Sequence, residues 1–141
     1  MKIYLSVPMI ANRALARARL IAKAIEDSGN EVSSPWVLGP IEKGASPVNV
    51  FDRDRVGSET CDVLIADVTE PSIGVGMEIM AAYKAGRRII LVAKKGNITS
   101  RMLQHMDRKE TLEYGEDEEV YEGLRRLLQR NATQAGSAQP I

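Results

Sequence analysis

This 141-residue chain is poor in several residue types, with one cysteine, one histidine, one tryptophan and one phenylalanine. A lone Cys61 cannot close an intrachain disulfide, which points to a reducing compartment. Cys61 and His105 cannot between them supply the nitrogen and sulfur ligands of a zinc site, so neither a metal nor a cofactor is expected. They lie far apart in the chain with no third partner, which argues against a histidine-activated thiol. An excess of one charge is also missing. Nineteen basic residues face nineteen acidic ones, giving a net charge of +0 and a pI near 6.6. The broad basic footprint of a protein that binds a nucleic-acid polymer or an anionic membrane is therefore absent. No run of about 20 apolar residues exists to span a bilayer. Met1-Lys2 leads into a short apolar stretch without the length or cleavage site of a signal peptide, so a cytoplasmic address is expected.

What remains is the composition of an ordinary globule, 44% hydrophobic and 27% charged, with enough chain for one core. Lys2 to Val7 has the β-branched and aromatic content of a first strand, stopped by Pro8. From Asn12, read as an N-cap, to Gly29, read as the residue past the helix end, Ala14, Leu15, Ala18, Ile21, Ala22 and Ile25 recur at helical spacing. A short strand at Glu31 to Ser34 follows. Gly39-Pro40, Gly44 and Pro47 then interrupt Trp36 to Val50, which reads as a long loop and a candidate lid. A polar helix is expected over Phe51 to Thr60, a buried strand over Asp62 to Asp67, and a helix from Val75 to Ala85 closed by Gly86. Arg88 to Ala93 reads as a fourth strand. Met102, Leu103 and Met106 mark a short amphipathic turn, Glu110 to Tyr114 a weak fifth strand, and Val120, Leu124, Leu127 and Leu128 a last helix. Asn131 to Ile141 is small and polar and reads as a flexible tail.

Alternating strands and helices imply a parallel sheet covered on both faces, because each parallel crossover needs a helix. The expected fold is α/β, a single-domain Rossmann-like (flavodoxin-like) three-layer sandwich with about five strands. Ligands in such sheets bind beyond the carboxyl ends of the strands, here after Val7, Asp67 and Ala93.

In Pro71 to Tyr83 the one acid, Glu78, stands among Ile73, Val75, Met77, Ile79 and Met80. Burying a carboxylate there calls for partners or a raised pKa. Gly74 and Gly76 precede it and would let an anion approach a helix N-terminus, with Ser72 adding a hydroxyl. Alternatively, Glu78 is a solvated surface residue and Ser72 a plain N-cap. Asp52 and Asp54 lie in a charged stretch that is either a solvated face or the source of a second carboxylate to pair with Glu78, as glycosidic cleavage requires. Tyr4, inside the first strand, reads more often as core than as catalytic.

Ala66-Asp67-Val68-Thr69-Glu70-Pro71-Ser72-Ile73-Gly74-Val75-Gly76-Met77-Glu78, continued by Gly86-Arg87-Arg88-Ile89-Ile90, resembles the nucleoside 2-deoxyribosyltransferase superfamily, most closely its 2′-deoxynucleoside 5′-phosphate N-hydrolases. Ile3-Tyr4-Leu5-Ser6-Val7-Pro8 is similar to the family's first strand, and Asp52-Arg53-Asp54 stands at the expected distance before the Glu motif. The resemblance covers roughly residues 2 to 106. It implies Glu78 as a nucleophile forming a glycosyl-enzyme ester, Asp54 as the acid that helps the base leave, and Tyr4 in the sugar pocket. Ser72, with the amides around Gly74 and Gly76, would hold the 5′-phosphate. Ser100 would be lent by a neighbouring subunit to that phosphate, making the active unit a homodimer. Residues 1–130 would form a nucleotide N-glycosidase domain acting on a small nucleotide, with 131–141 as a tail. The segment Ser6-Val7-Pro8-Met9-Ile10-Ala11-Asn12-Arg13 departs from the hydrolase pattern, Pro8 being closer to the transferase branch, and leaves Ser6 and Arg13 as further phosphate candidates. Deoxyribosyl transfer, cleavage of ribonucleotides such as CMP, and a nucleotide-binding regulatory module without turnover stay open.

Overall fold

The computed structural model describes residues 1–44, 46–97 and 100–135, with only the backbone over 131–135. In chain order the elements are β1 (Lys2–Ser6), α1 (Leu15–Asp27), β2 (Glu31–Val32), a 3-10 turn (Pro35–Leu38), α2 (Pro47–Thr60), β3 (Val63–Asp67), α3 (Ile73–Lys84), β4 (Arg88–Lys94), α4 (Arg101–His105), β5 (Lys109–Tyr114) and α5 (Glu118–Ala135). All pairings are parallel, and the strand order is β2-β1-β3-β4-β5. That is the doubly wound arrangement in which the chain reverses direction across the sheet between β1 and β3.

Side chains alternate across each strand, and the core divides accordingly. Ile3, Leu5, Val63, Ile65, Ile90 and Val92 pack with α1 and α5 on one face. Tyr4, Leu64, Ala66, Ile89 and Leu91 pack with Val75, Ile79 and Ala82 of α3 on the other. The two layers of helix make the expected three-layer sandwich. Each fully buried Ile or Leu adds roughly 1.5–3 kcal/mol, so both faces have a strong drive to be covered.

Three local expectations are corrected. The chain between Trp36 and Val50 is not one long loop: Pro35–Leu38 forms a 3-10 turn and α2 starts at Pro47. Pro47 sits in the first turn, where its missing N–H costs nothing and its fixed φ favours the helix, so it is a start rather than a break. Asn12 does not cap α1. Its φ is 60°, outside the extended region a cap residue needs, and Ala14 takes the position without a side-chain bond. At the other end Gly29 has φ +81°, the left-handed conformation expected just past the helix. The last helix continues to Ala135, beyond the expected boundary at residue 131, and 136–141 of the expected tail lie outside the described residues.

An ion pair ties α1 to the sheet. Arg17 Nε donates to Asp67 Oδ2 at 2.7 Å, and Asp67 Oδ1 accepts from the Thr69 N–H at 3.1 Å. The Thr69 hydroxyl shares a 2.8 Å hydrogen bond with the Tyr114 hydroxyl. Asp67 thus satisfies a loop amide, as its place at a strand end predicts. The network anchors the connection from β3 to α3.

Candidate active site

The carboxyl end of β1, beside the switch point, presents Tyr4 and Ser6 on the face that α3 covers. Both are fully buried. On α3, Gly74 and Glu78 are four residues apart and share one side of the helix, while Gly76, Met80 and Tyr83 share another. Glu78 therefore points to β1 and α2. The Ser6 hydroxyl donates to Glu78 Oε1 at 3.2 Å. Burial drives the Glu78 carboxyl up to about 7, and the nearby charge of Asp54 adds to the rise; Tyr4, Ser6 and Arg53 oppose it. The reading of Glu78 as a solvated surface residue is not what the structure has.

Tyr4 responds in the same direction. Burial raises its phenol far above the usual range, and the charges of Glu78 and Asp54 raise it further. Its hydroxyl is buried, lies close enough to Glu78 to be coupled to it, and has no partner at hydrogen-bond geometry among the described residues. The ring meets α2 at Gly57, where a Cβ would stand 2.7 Å from Tyr4 Cε2 and 2.9 Å from Cδ2. Gly57 is the one α2 residue type that permits this approach, and one helical turn before it stands Asp54. Sequence reading missed Gly57, because a glycine in a polar helix gives no sign of what crosses it.

Asp54 is half-buried and accepts from Arg53 Nε at 2.9 Å. The Arg53 guanidinium lies 4.3 Å from the centre of the Trp36 ring and reaches Glu42 Oε2 at 3.2 Å. Trp36 in turn meets Tyr4 edge to face, with ring centres 6.1 Å apart. A flat aromatic and cationic wall stands beside the two carboxylates, held to the connection before α2 through Glu42. Trp36 is half-buried and packs on both core clusters.

The phosphate candidates are scattered. Ser72 caps α3, accepting from the Val75 N–H at 3.4 Å. A Cβ at Gly74 or at Gly76 would meet nothing within 4 Å, and neither glycine has a positive φ. Arg13 is turned away: its guanidinium donates to the Val37 carbonyl at 3.2 Å and to the Gly39 carbonyl. Ser100 caps α4, accepting from the Leu103 N–H at 3.2 Å. With Ser72, Gly76, Met80, Met102 and Met106 it lines a mostly apolar hollow of about 660 Å³ between α3 and α4, which Glu78, Asp54, Tyr4 and Ser6 do not line. Glu70, Tyr83, Arg101 and His105 also line that hollow, but the two acids that stand together, Glu78 and Asp54, lie outside it, so the carboxylate cluster is the candidate centre. Among the described residues no group of three or more His, Cys, Asp and Glu could hold a metal ion, and no helix is long and apolar enough to cross a membrane.

No family model matches the chain. A protein of Thermofilum pendens that carries the provisional name 2′-deoxynucleoside 5′-phosphate N-hydrolase 1 is 38% identical over 104 residues, 71% of this chain and 73% of its own length. The 5-hydroxymethyl-dUMP N-hydrolase of Danio rerio is 34% identical over 74 residues, 49% of this chain and 52% of its own. Among solved structures, a CMP N-glycosidase of Clostridium botulinum superposes with a TM-score of 0.73 over 90% of this chain and 99% of its own at 20% identity, a likeness of fold. With the sequence identity to the archaeal relative spanning both chains this far, the protein belongs to the 2′-deoxynucleoside 5′-phosphate N-hydrolases of the nucleoside 2-deoxyribosyltransferase superfamily.

Proposed function

We propose that this protein hydrolyses the N-glycosidic bond of 2′-deoxynucleoside 5′-monophosphates, releasing free base and 2-deoxyribose 5-phosphate. The observation that carries the reading is a half-buried carboxyl, Glu78, beside a second acid, Asp54, at the switch point of the sheet. The names of the relatives in Thermofilum pendens and Danio rerio support the substrate class.

In this reading ionised Glu78 attacks the anomeric carbon. The C–N bond breaks with its electrons going to the base, which takes a proton from Asp54. Water then attacks the same carbon, its proton passes to Asp54, and the sugar–oxygen bond breaks with its electrons returning to Glu78. Two displacements leave the configuration retained. The wall of Trp36 and Arg53 suits a flat base. Ser72 and the amides of the first turn of α3 hold the phosphate through neutral donors and the helix dipole.

The active unit is a homodimer. Ile73, Met77, Met80 and Met102 expose 88%, 55%, 41% and 75% of their surface on the outer side of α3 and α4. A second copy of this chain covers that apolar face and brings its Ser100 to the phosphate. Gly74 and Gly76 fit the same picture: each costs about 1 kcal/mol relative to Ala in a helix, and among the described residues nothing lies within 4 Å of a Cβ at either.

The test is a panel of deoxy- and ribonucleoside 5′-monophosphates and their unphosphorylated nucleosides, incubated with and without a second free base and resolved by chromatography. Base release that requires the phosphate and shows no exchange is the expected result. Base exchange would make the protein a transferase, and faster cleavage of CMP than of dCMP a ribonucleotide glycosidase. If wild type cleaves nothing and Glu78→Gln leaves nucleotide affinity unchanged, the catalytic reading falls and a binding module remains.

A further inference from the structure

We propose that Ser6 is a positioning residue for the Glu78 carboxylate and not a ligand of the substrate phosphate; the proposal deepens the hydrolase reading and rests on it. Its geometry is that of a fixed donor aimed at one oxygen of a movable acid. Ser6 closes β1, the strand between β2 and β3, and its Cα is in register with Ala66. The strand end is fastened from the other side as well. The Leu5 N–H donates to Ser34 Oγ at 2.8 Å, and the Ser34 hydroxyl donates back to the Leu5 carbonyl at 2.8 Å. A side chain on so constrained a strand has little freedom, and its hydroxyl reaches Glu78 Oε1 at 3.2 Å across 72 positions of sequence.

A serine hydroxyl has one proton to donate. At Ser6 that proton is committed to Oε1, so toward a phosphate oxygen the same hydroxyl offers only lone pairs, which an anion rejects. Ser6 is also fully buried, whereas the first turn of α3 offers free N–H groups and open space at Gly74 and Gly76. With Oε1 held, Oε2 is the oxygen free to attack the anomeric carbon. In the second displacement the donor stabilises the carboxylate as it departs. A donor to the charged form also opposes the effect of burial on Glu78. The other groups that face this carboxyl are Tyr4 on β1 and Asp54 and Arg53 on α2, and all three remain in a Ser6 variant.

The test compares wild type with Ser6→Ala and with Ser6→Cys, whose thiol is a weaker donor, after circular dichroism and urea titration confirm that each folds. Expected for Ser6→Ala is a ~10- to 100-fold loss of kcat, KM for the deoxynucleotide changed by less than about threefold, and Ser6→Cys between the two. A carbon-13 titration of the Glu78 carboxyl, assigned with Glu78→Gln, is expected to move up by about one pH unit in Ser6→Ala. A KM rise with kcat intact, confined to phosphorylated substrates, would overturn the proposal in favour of a phosphate ligand. An unmoved titration would overturn it as well. The titration needs no turnover: if wild type cleaves no nucleotide, the hydrolase reading fails, while the shift or its absence still decides whether Ser6 governs Glu78.

Discussion

At the residue scale the chemistry turns on the ionisation of Glu78. Its carboxyl is protonated through much of the acidic range because burial drives it up to about 7. In the proposed mechanism Glu78 attacks as a carboxylate, so on the acid limb kcat/KM of the free enzyme is expected to climb about tenfold per pH unit as pH rises toward about 7, as a pH–rate profile would read. The same shift has a stability consequence of opposite direction. Between the ordinary carboxyl value of 4.5 and about 7 the folded protein holds a proton that the unfolded chain has lost, so stability falls as pH rises through that window. The loss is on the order of 3 kcal/mol at most. Glu78→Gln, which never ionises, is therefore expected to melt higher than wild type at pH 8 and to lose that advantage near pH 4.5, while abolishing cleavage. A Glu78→Gln protein that melts no higher at pH 8 would mean the carboxylate is well solvated after all.

At the element scale the site depends on helices that approach closely where they carry glycine. Gly57 lets α2 lie against the Tyr4 ring. Gly57→Ala puts a methyl group into a fully buried ring that has nowhere to go. A destabilisation of ~1–3 kcal/mol in urea titration is expected, with a drop in kcat because α2 and Asp54 are pushed off β1. Gly74 makes the contrasting case. An added Cβ there meets nothing, so Gly74→Ala is expected to stabilise α3 by up to about 1 kcal/mol and yet to raise KM for the monophosphate, by blocking the anion's approach to the helix amides. A stabilised variant with unchanged KM would show that nothing binds at that turn. The elements themselves were largely legible in the sequence. β3 reads from Val63-Leu64-Ile65-Ala66 because a strand buried on both faces is apolar throughout, and α1 reads from its helical stripe. α2 was legible only from Phe51 on, because Pro47 punctuates equally well as a break or as a first-turn residue, and tertiary packing chooses between them.

For the whole molecule the open question is assembly. The proposed dimer places Glu78 and a serving Ser100 on different chains, which a mixing experiment separates from a merely structural pairing. Ser100→Ala and Glu78→Gln proteins, each expected to have low activity alone, are expected to recover about a quarter of wild-type activity when refolded or co-expressed together, since half of the dimers then contain one intact site. No recovery would place Ser100 in its own chain's site or in none. Met77→Glu, on the exposed apolar face, is expected to convert the proposed dimer to monomer in sedimentation and to remove activity with it.

The sequence by itself determined the alternation of strands and helices, the parallel sheet, and the presence of an acid in an otherwise apolar helix, because these follow from local periodicity and from the cost of burying charge. Only the tertiary structure decided which groups that acid meets. Ser6 reaches Glu78, α2 closes on Tyr4 through Gly57, and Arg13 turns to the carbonyls of Val37 and Gly39, all through contacts between residues far apart in the chain. Such contacts are set by how strands register and helices cross, and local pattern carries no record of either.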